Sequence, residues 1–331
     1  MAEQGNANVV RDSDPCPSLC APNKSFVMNH QMTFRRNVPR IALAVLGVAS
    51  GVIAGSAAQA QTKMLPPASQ MPIVNIPAKP DLLRVCASSA NAPYSTADEQ
   101  GFEDKIAKVV GRAMNRKVAF VFTNRPAIYL VRDLLDKNLC DVVIGLDAGD
   151  ERVLTTRPYY RSGYVFISRT DKRLDIKDWQ DPRIASLHNI AVALGSPGET
   201  MLKSVGKFEA ELNYLYSLVG FKSRRNQYVQ VPPNKFIEEV VEGNADLAVA
   251  FQPEVARYVK ASQVPLTVKV IPDNAVRSDG TKVPQQFDTA MGVRKGDDHL
   301  LDELNNAIVK AQPEIQKILE EEGVITLNSK S

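Results

Sequence analysis

Residues 83–146 read LRVCASSANAPYSTADEQGFEDKIAKVVGRAMNRKVAFVFTNRPAIYLVRDLLDKNLCDVVIGL, and their patterning decides the fold. The run 83–87 is a short apolar strand. Over 101–115, Phe102, Ile106, Val109, Val110 and Met114 recur at helical spacing. A strand follows at 118–122, a second helix at 127–137, and DVVIGL at 141–146 is a strand apolar on both faces. Strand, helix, strand, helix, strand makes a parallel sheet with right-handed crossovers.

The same grammar returns about 105 residues later. Strands are expected over 189–194 and 227–231, a helix over 233–242 and a buried strand over 246–251. Laying Asp141 on Asp246 also lays Val131 on Phe236, Leu135 on Val240 and Cys86 on Ala191, which predicts two similar lobes. A strand at 287–294 and a helix at 297–310 follow. Pro313 suits the first turn of a further helix that stops at Gly323. If this last part packs on the first lobe, the chain crosses between lobes twice, and a cleft lies between them. The expected division is 81–168 with 288–331 for lobe I and 169–287 for lobe II.

Upstream, Arg35, Arg36 and Arg40 precede an apolar run from 41 to 58, and Ala58-Gln59-Ala60 closes it. This predicts a secretory signal within 1–60, cleaved before Gln61, with no membrane anchor left behind. Met28 or Met32 would start a more ordinary signal, so residues 1–27 read as dispensable. Residues 61–80 form an extended arm with five prolines and no core of its own.

The chain has 331 residues, 40 Lys and Arg, and 37 Asp and Glu. A net charge of +3 lacks the basic excess of a nucleic-acid binder. Without residues 1–60 the balance is 35 against 34, and only Cys86 and Cys140 remain. Two cysteines in an oxidising compartment suggest one disulfide.

In open α/β sheets, ligands sit beyond the carboxyl ends of strands. The loops there carry Asn91 and Tyr94, then Asp147 to Arg152, and in lobe II Gly195 to Thr200 and Gln252 to Glu254. Ser196 and Thr200 open a helix N-terminus, which is either an anion site or ordinary capping. Arg152 either clamps a carboxylate or pairs with Asp150 or Glu151. Tyr94 either stacks on a ligand or leans on the core, while Tyr159, Tyr160 and Tyr164 read as strand and hinge packing. No metal-ligand spacing, nucleophile elbow or phosphate loop is present, so no catalytic residue is assigned; an enzyme would need an acid/base pair such as Asp147 with Glu199.

The segments LRVCASSANAPYS, GFEDKIAKVVGRAMNRKV, CDVVIGLDAGDERVLTTRPYY and IAVALGSPGET resemble, in order, the periplasmic solute-binding proteins of the polar amino-acid type (family 3). The resemblance implies a bilobed type II periplasmic binding fold, with Arg152 taking a ligand carboxylate and Ser196 and Thr200 supplying a hydroxyl and N–H groups. The carboxylate such receptors use for an ammonium follows the strand that ends at Phe251; here Gln252-Pro253 stand there and Glu254 comes slightly later. RPAIYLVRDLLDKNLCDVVIGLDAGDERVLTTRPYYRSGYVF is similar to one branch, the methanol oxidation system proteins, and the likeness extends from about 82 through NADLAVAFQPEVARYVK to GVITL. That branch implies an accessory role toward methanol dehydrogenase, whose pyrroloquinoline quinone (PQQ) and calcium belong to the partner, with a c-type cytochrome as its acceptor. The wider family implies instead a receptor that hands a small amino or organic acid, a carboxylate ligand, to an ABC transporter. In this fold Cys86 and Cys140 stand on neighbouring strands, and a Cys86–Cys140 bond is expected, although a stagger of three residues would span roughly 10 Å along a strand.

Overall fold

The computed structural model describes residues 73–219 and 230–328. The expected signal and the first part of the arm lie outside the described residues, as does most of the strand expected at 227–231.

Lobe I is built on β1 (Leu82–Ser88), which ends in the short hairpin of β2 (Ala90–Asn91) and β3 (Ser95–Thr96). Helix α1 (Phe102–Ala113) then leads to β4 (Lys117–Thr123). As the spacing predicts, Phe102, Ile106, Val109 and Val110 are buried beneath it. The N-cap residue is Gly101, and only glycine fits there because the hairpin comes so close: a Cβ would lie 1.9 Å from the Tyr94 carbonyl oxygen. Parallel strands β4 and β5 (Val142–Asp147) flank β1.

The helix expected at 127–137 takes another form. A 3₁₀ turn at Ala127–Tyr129 runs into a π turn at Val131–Leu135, closed by the Asp136 N–H on the Val131 carbonyl. The widened turn delivers Leu130, Val131, Leu134 and Leu135 to the core that also holds Cys86 and Cys140. These two cysteines form a disulfide with Cα atoms 5.4 Å apart. Cys140 lies just before β5, where the chain arrives from the π turn, so the stagger expected along a strand does not arise.

After the small strand β6 (Leu154–Thr155) comes β7 (Tyr160–Arg169), which serves both lobes. Its first residues pair with β11 (Gln286–Val293), through Tyr160↔Thr289 to Gly163↔Gln286. From Tyr164 to Ile167 it pairs instead with β9 (Leu247–Phe251), and its outer end pairs with β10 (Leu266–Val270). Val165, Phe166 and Ile167 already belong to the core of lobe II, so the first crossing falls inside β7, a few residues before 168.

Lobe II sets β8 (Ile190–Val192) parallel to β9 and carries α2 (Pro197–Ser204), α3 (Phe208–Leu218), α4 (Pro233–Glu242) and α5 (Gln252–Ala261). Trp179 anchors this core, edge-on to Phe166 at 5.2 Å, with its indole N–H donating to Gln285. Each lobe centres on the same pair of parallel strands. Cys86↔Val143 in lobe I and Ala191↔Ala248 in lobe II are both displaced by 105 residues. Asp141 accepts from the Arg84 N–H before β5, and Asp246 accepts from the His188 N–H before β9.

The chain ends in one helix, α6 (Asp298–Glu322), where two are expected at Pro313. Leu304, Ala307, Ile308, Ala311, Ile315 and Leu319 form one buried stripe running past the proline. Pro313 is exposed, as is Val309, whose carbonyl has no helical donor in Pro313 and lies on the outer face of the helix. No helix among the described residues is long and apolar enough to cross a membrane.

The disulfide closes a separation of 54 residues, and both cysteines are buried. A Cys86→Ala/Cys140→Ala protein is therefore expected to lose about 2–5 kcal/mol of stability in urea titrations. A loss below about 1 kcal/mol would show that packing around the pair, not the cross-link, holds this core.

Candidate functional site

A partly enclosed cavity of about 290 Å³ lies between the lobes. Lobe I contributes the hairpin residues Asn91, Tyr94 and Ser95, the first turn of α1 with Glu103, and the end of β5 with Asp147. Lobe II contributes Phe251 and Glu254. A second chamber of about 580 Å³ shares Asn91, Tyr94 and Glu254 with the first and continues toward Leu194 and Tyr258.

Among the described residues, acids without bases line the cavity. Glu103 sits in the first turn of α1 on the buried face, where the Tyr159 hydroxyl donates to it at 3.3 Å. Its carboxylate occupies the space a side chain at Gly145 would need: a Cβ there would stand 2.4 Å from the nearer oxygen, and Gly145 has φ +79°. Burial pushes Glu103 up to about 8, a rise that the Tyr159 bond only partly offsets. Glu254 is pushed up to about 7 by burial alone. Tyr94 and Tyr164 are raised by burial first and by the Glu254 charge second; for Tyr160 burial leads and the Glu103 charge follows. Asp104 also borders the cavity but is structural, its Oδ2 accepting from the N–H groups of Thr96 and Gly101.

The structure brings Asn91, Tyr94 and Asp147 together on the cavity and uses the other expected residues elsewhere. Arg152 makes a bidentate pair with Asp150, Nε to Oδ1 at 3.0 Å and Nη2 to Oδ2 at 2.6 Å, and donates to the Ile128 carbonyl. Ser196 caps α2, accepting from the Glu199 N–H and donating to the Ala193 carbonyl, while Thr200 donates to the Ser196 carbonyl. Glu199 turns back onto the Gly195 N–H and pairs with Lys203, so this helix N-terminus already carries its own carboxylate and Glu199 is not set against Asp147. Gln252 is buried; its side chain donates to the Gly323 carbonyl and accepts from the Ile325 N–H, tying α5 to the chain end.

Tyr160 lines the cavity in addition to packing the hinge strand. Glu103 is the main residue that sequence reasoning missed. Its available signal was an acid on the apolar stripe of α1, in helical register with Ile106, Ala107 and Val110. Glu254, two residues past Gln252 on α5, faces the cavity while Gln252 faces the C-terminus. Among the described residues no group of three or more His, Cys, Asp or Glu could hold a metal ion.

Residues 83–321 match the bacterial extracellular solute-binding proteins, family 3. The chain belongs to this family. Among its relatives, Protein MoxJ of Methylorubrum extorquens is 54% identical over 252 residues, 76% of this chain and 84% of that protein. Protein MoxJ of Paracoccus denitrificans is 46% identical over 247 residues, covering 75% and 90%. The crystal structure of MxaJ from Methlophaga aminisulfidivorans MPT aligns with TM-score 0.72 at 48% identity, over 74% of this chain and all of that one. The periplasmic binding protein XoxJ from Methylobacterium extorquens AM1 aligns with TM-score 0.54 at 28% identity, over 75% of this chain and all of that one. The two α/β lobes and two-crossing hinge are thus the family-3 fold, and the protein is periplasmic, in a compartment where a disulfide persists.

The raised carboxyl of Glu254 makes a signed prediction. A carboxyl whose folded value lies near 7 and whose ordinary value is 4.5 binds more protons folded than unfolded, so stability falls as pH rises between those values. Glu254→Gln is expected to raise the Tm by a few degrees at pH 8 and to leave it nearly unchanged at pH 4.5. An equal change at both pH values would show that the effect is packing and not charge.

Proposed function

We propose that this protein is a non-catalytic periplasmic accessory factor of methanol oxidation. It acts in the assembly, maturation or activity of PQQ-dependent methanol dehydrogenase. The observation that carries this reading is the 54% identity to Protein MoxJ over 252 residues, which extends the likeness to the methanol oxidation branch across both lobes. PQQ and calcium belong to the dehydrogenase, and its c-type cytochrome acceptor is a second candidate partner.

The cleft supports the same reading. The arginine that would receive a ligand carboxylate is bound to Asp150, and the helix N-terminus in lobe II carries Glu199. A receptor for a small amino or organic acid, feeding an ABC transporter, would need at least one of these free.

The lobes are also tied together beside the cleft and at the chain end. Arg257 on α5 pairs with Glu322 at the end of α6 and reaches the Pro93 carbonyl in lobe I. Gln252 and Lys260 hold the carbonyls of Gly323 and Glu321. A body whose lobes are joined on this scale presents a steady outer surface to a protein partner.

The test is affinity capture from the periplasm of the host grown on methanol, using wild type and Arg152→Ala side by side. Methanol dehydrogenase is expected with both, in similar amounts. If neither recovers it, and a small carboxylate raises the Tm of wild type but not of Arg152→Ala, the protein is a transport receptor instead.

A further inference from the structure

The two lobes share more than their crossing strands. Helix α5 leaves the end of β9 in lobe II, and its Val255 is buried in the core of that lobe. The next residue, Ala256, is 2% exposed and belongs to the core of lobe I, with Leu319 and Val324. One helix therefore contributes to both cores.

Polar ties follow the same line. Gln252 is buried and spends both ends of its amide on the chain end: Nε2 donates to the Gly323 carbonyl at 3.0 Å, and Oε1 accepts from the Ile325 N–H at 2.8 Å. Arg257 donates to the buried carboxylate of Glu322 at 3.0 Å and to the Pro93 carbonyl at 3.3 Å, so it holds α6 and the lobe I hairpin at once. Lys260 donates to the Glu321 carbonyl at 2.7 Å. Carbonyls in the last turn of a helix have no donor within it. Here lobe II supplies donors to the end of a lobe I helix. Swinging the lobes apart would leave these acceptors, the Gln252 amide and the Glu322 carboxylate without those partners, which is costly for buried groups. Beyond Gly323 the chain lies along β7, where Ser162 Oγ donates to the Ile325 carbonyl and the Leu327 N–H donates to the Arg161 carbonyl, both at 2.8 Å.

We propose that residues 321–327 are a strap that holds the two lobes at one angle without a ligand, so that opening of the cleft is controlled from the chain end and not by an occupant of the cleft. The proposal does not depend on the methanol reading, since it rests on the contacts between α5, β7 and the chain end.

Electron–electron double resonance on the purified periplasmic protein tests it. Spin labels go at Lys105→Cys on α1 and Glu209→Cys on α3, exposed positions on opposite lobes, while Cys86 and Cys140 stay joined in their disulfide. Wild type whose mass by native mass spectrometry is that of the chain alone is expected to give one narrow distance. Gln252→Leu/Arg257→Met, which roughly keeps side-chain volume and removes the polar ties, is expected to populate a second, longer distance at least roughly tenfold more than wild type. Arg257→Met alone is expected to move the same way by a smaller factor. A label pair within lobe I, at Lys105→Cys and Lys137→Cys, is expected to keep its distance in every variant, which separates an opened cleft from lost folding. A wild type with two distances, a wild type that is narrow only while it carries a small molecule, or folded variants that keep the wild-type interlobe distance would each overturn the proposal.

Discussion

The shared strand β7 is the constraint on which the rest of the molecule depends. Its first four residues are hydrogen-bonded to β11 in the sheet of lobe I and the next four to β9 in the sheet of lobe II, with no break in the strand between them. The switch from one sheet to the other takes place between two consecutive residues, Gly163 and Tyr164. Tyr164 stands at the changeover. Its N–H donates to the Gln285 carbonyl, its carbonyl accepts from Ile271, and its ring packs on Phe251 and Phe287, which themselves meet edge-on. One side chain thereby joins β7, β11 and β9.

The chain end adds a second tie to the same hinge. After α6 stops at Gly323, with its αL backbone, residues 323–327 run along both lobes. Ser162 and Arg161 of β7 bond to Ile325 and Leu327, and Gln252 bonds to Gly323 and Ile325. These ties also shape the charge of the cleft. Arg257 is drawn to Glu322, Arg161 to Asp288 and Arg152 to Asp150, so bases that sit within a short distance of the cleft are consumed in holding its frame. The acids on its walls are left without them, and their raised pKa values are the electrostatic consequence.

Much of the fold is legible in the sequence because its parallel strands are buried on both faces. DVVIGL at 141–146 and its counterpart at 246–251 stand out as unbroken apolar runs, and the 105-residue displacement holds to the residue in the strand register. The π turn is not legible: apolar residues at 130, 131, 134 and 135 fit an ordinary helical stripe, and only the tertiary position of Cys140 and β5 shows that a wider turn is needed. Pro313 misleads for a related reason. The rule that proline opens a helix is local, whereas the stripe from Leu304 to Leu319 is buried as one unit and outweighs it.

The site divides along the same line between topology and side-chain direction. Knowing where strands end is enough to place Asn91, Tyr94 and Asp147 at the cavity. It is not enough for Arg152, because an aspartate two residues away competes for the guanidinium at almost no entropic cost, nor for Ser196, whose own helix offers a closer donor than any ligand. Glu103 shows the converse. Its buried carboxyl is held in place only because residue 145 lacks a side chain, a complementarity between two positions 42 apart that no single window of sequence displays. A buried acid on an apolar helix face lowers stability and contributes nothing to packing that a leucine would not. Where such an acid is accommodated by a glycine with positive φ on a neighbouring strand, and faces a second acid across a cleft, the arrangement is costly twice over. That double cost is what distinguishes Glu103 and Glu254 from carboxylates such as Asp150, Asp133 and Glu199, each of which is paired with an arginine or a lysine.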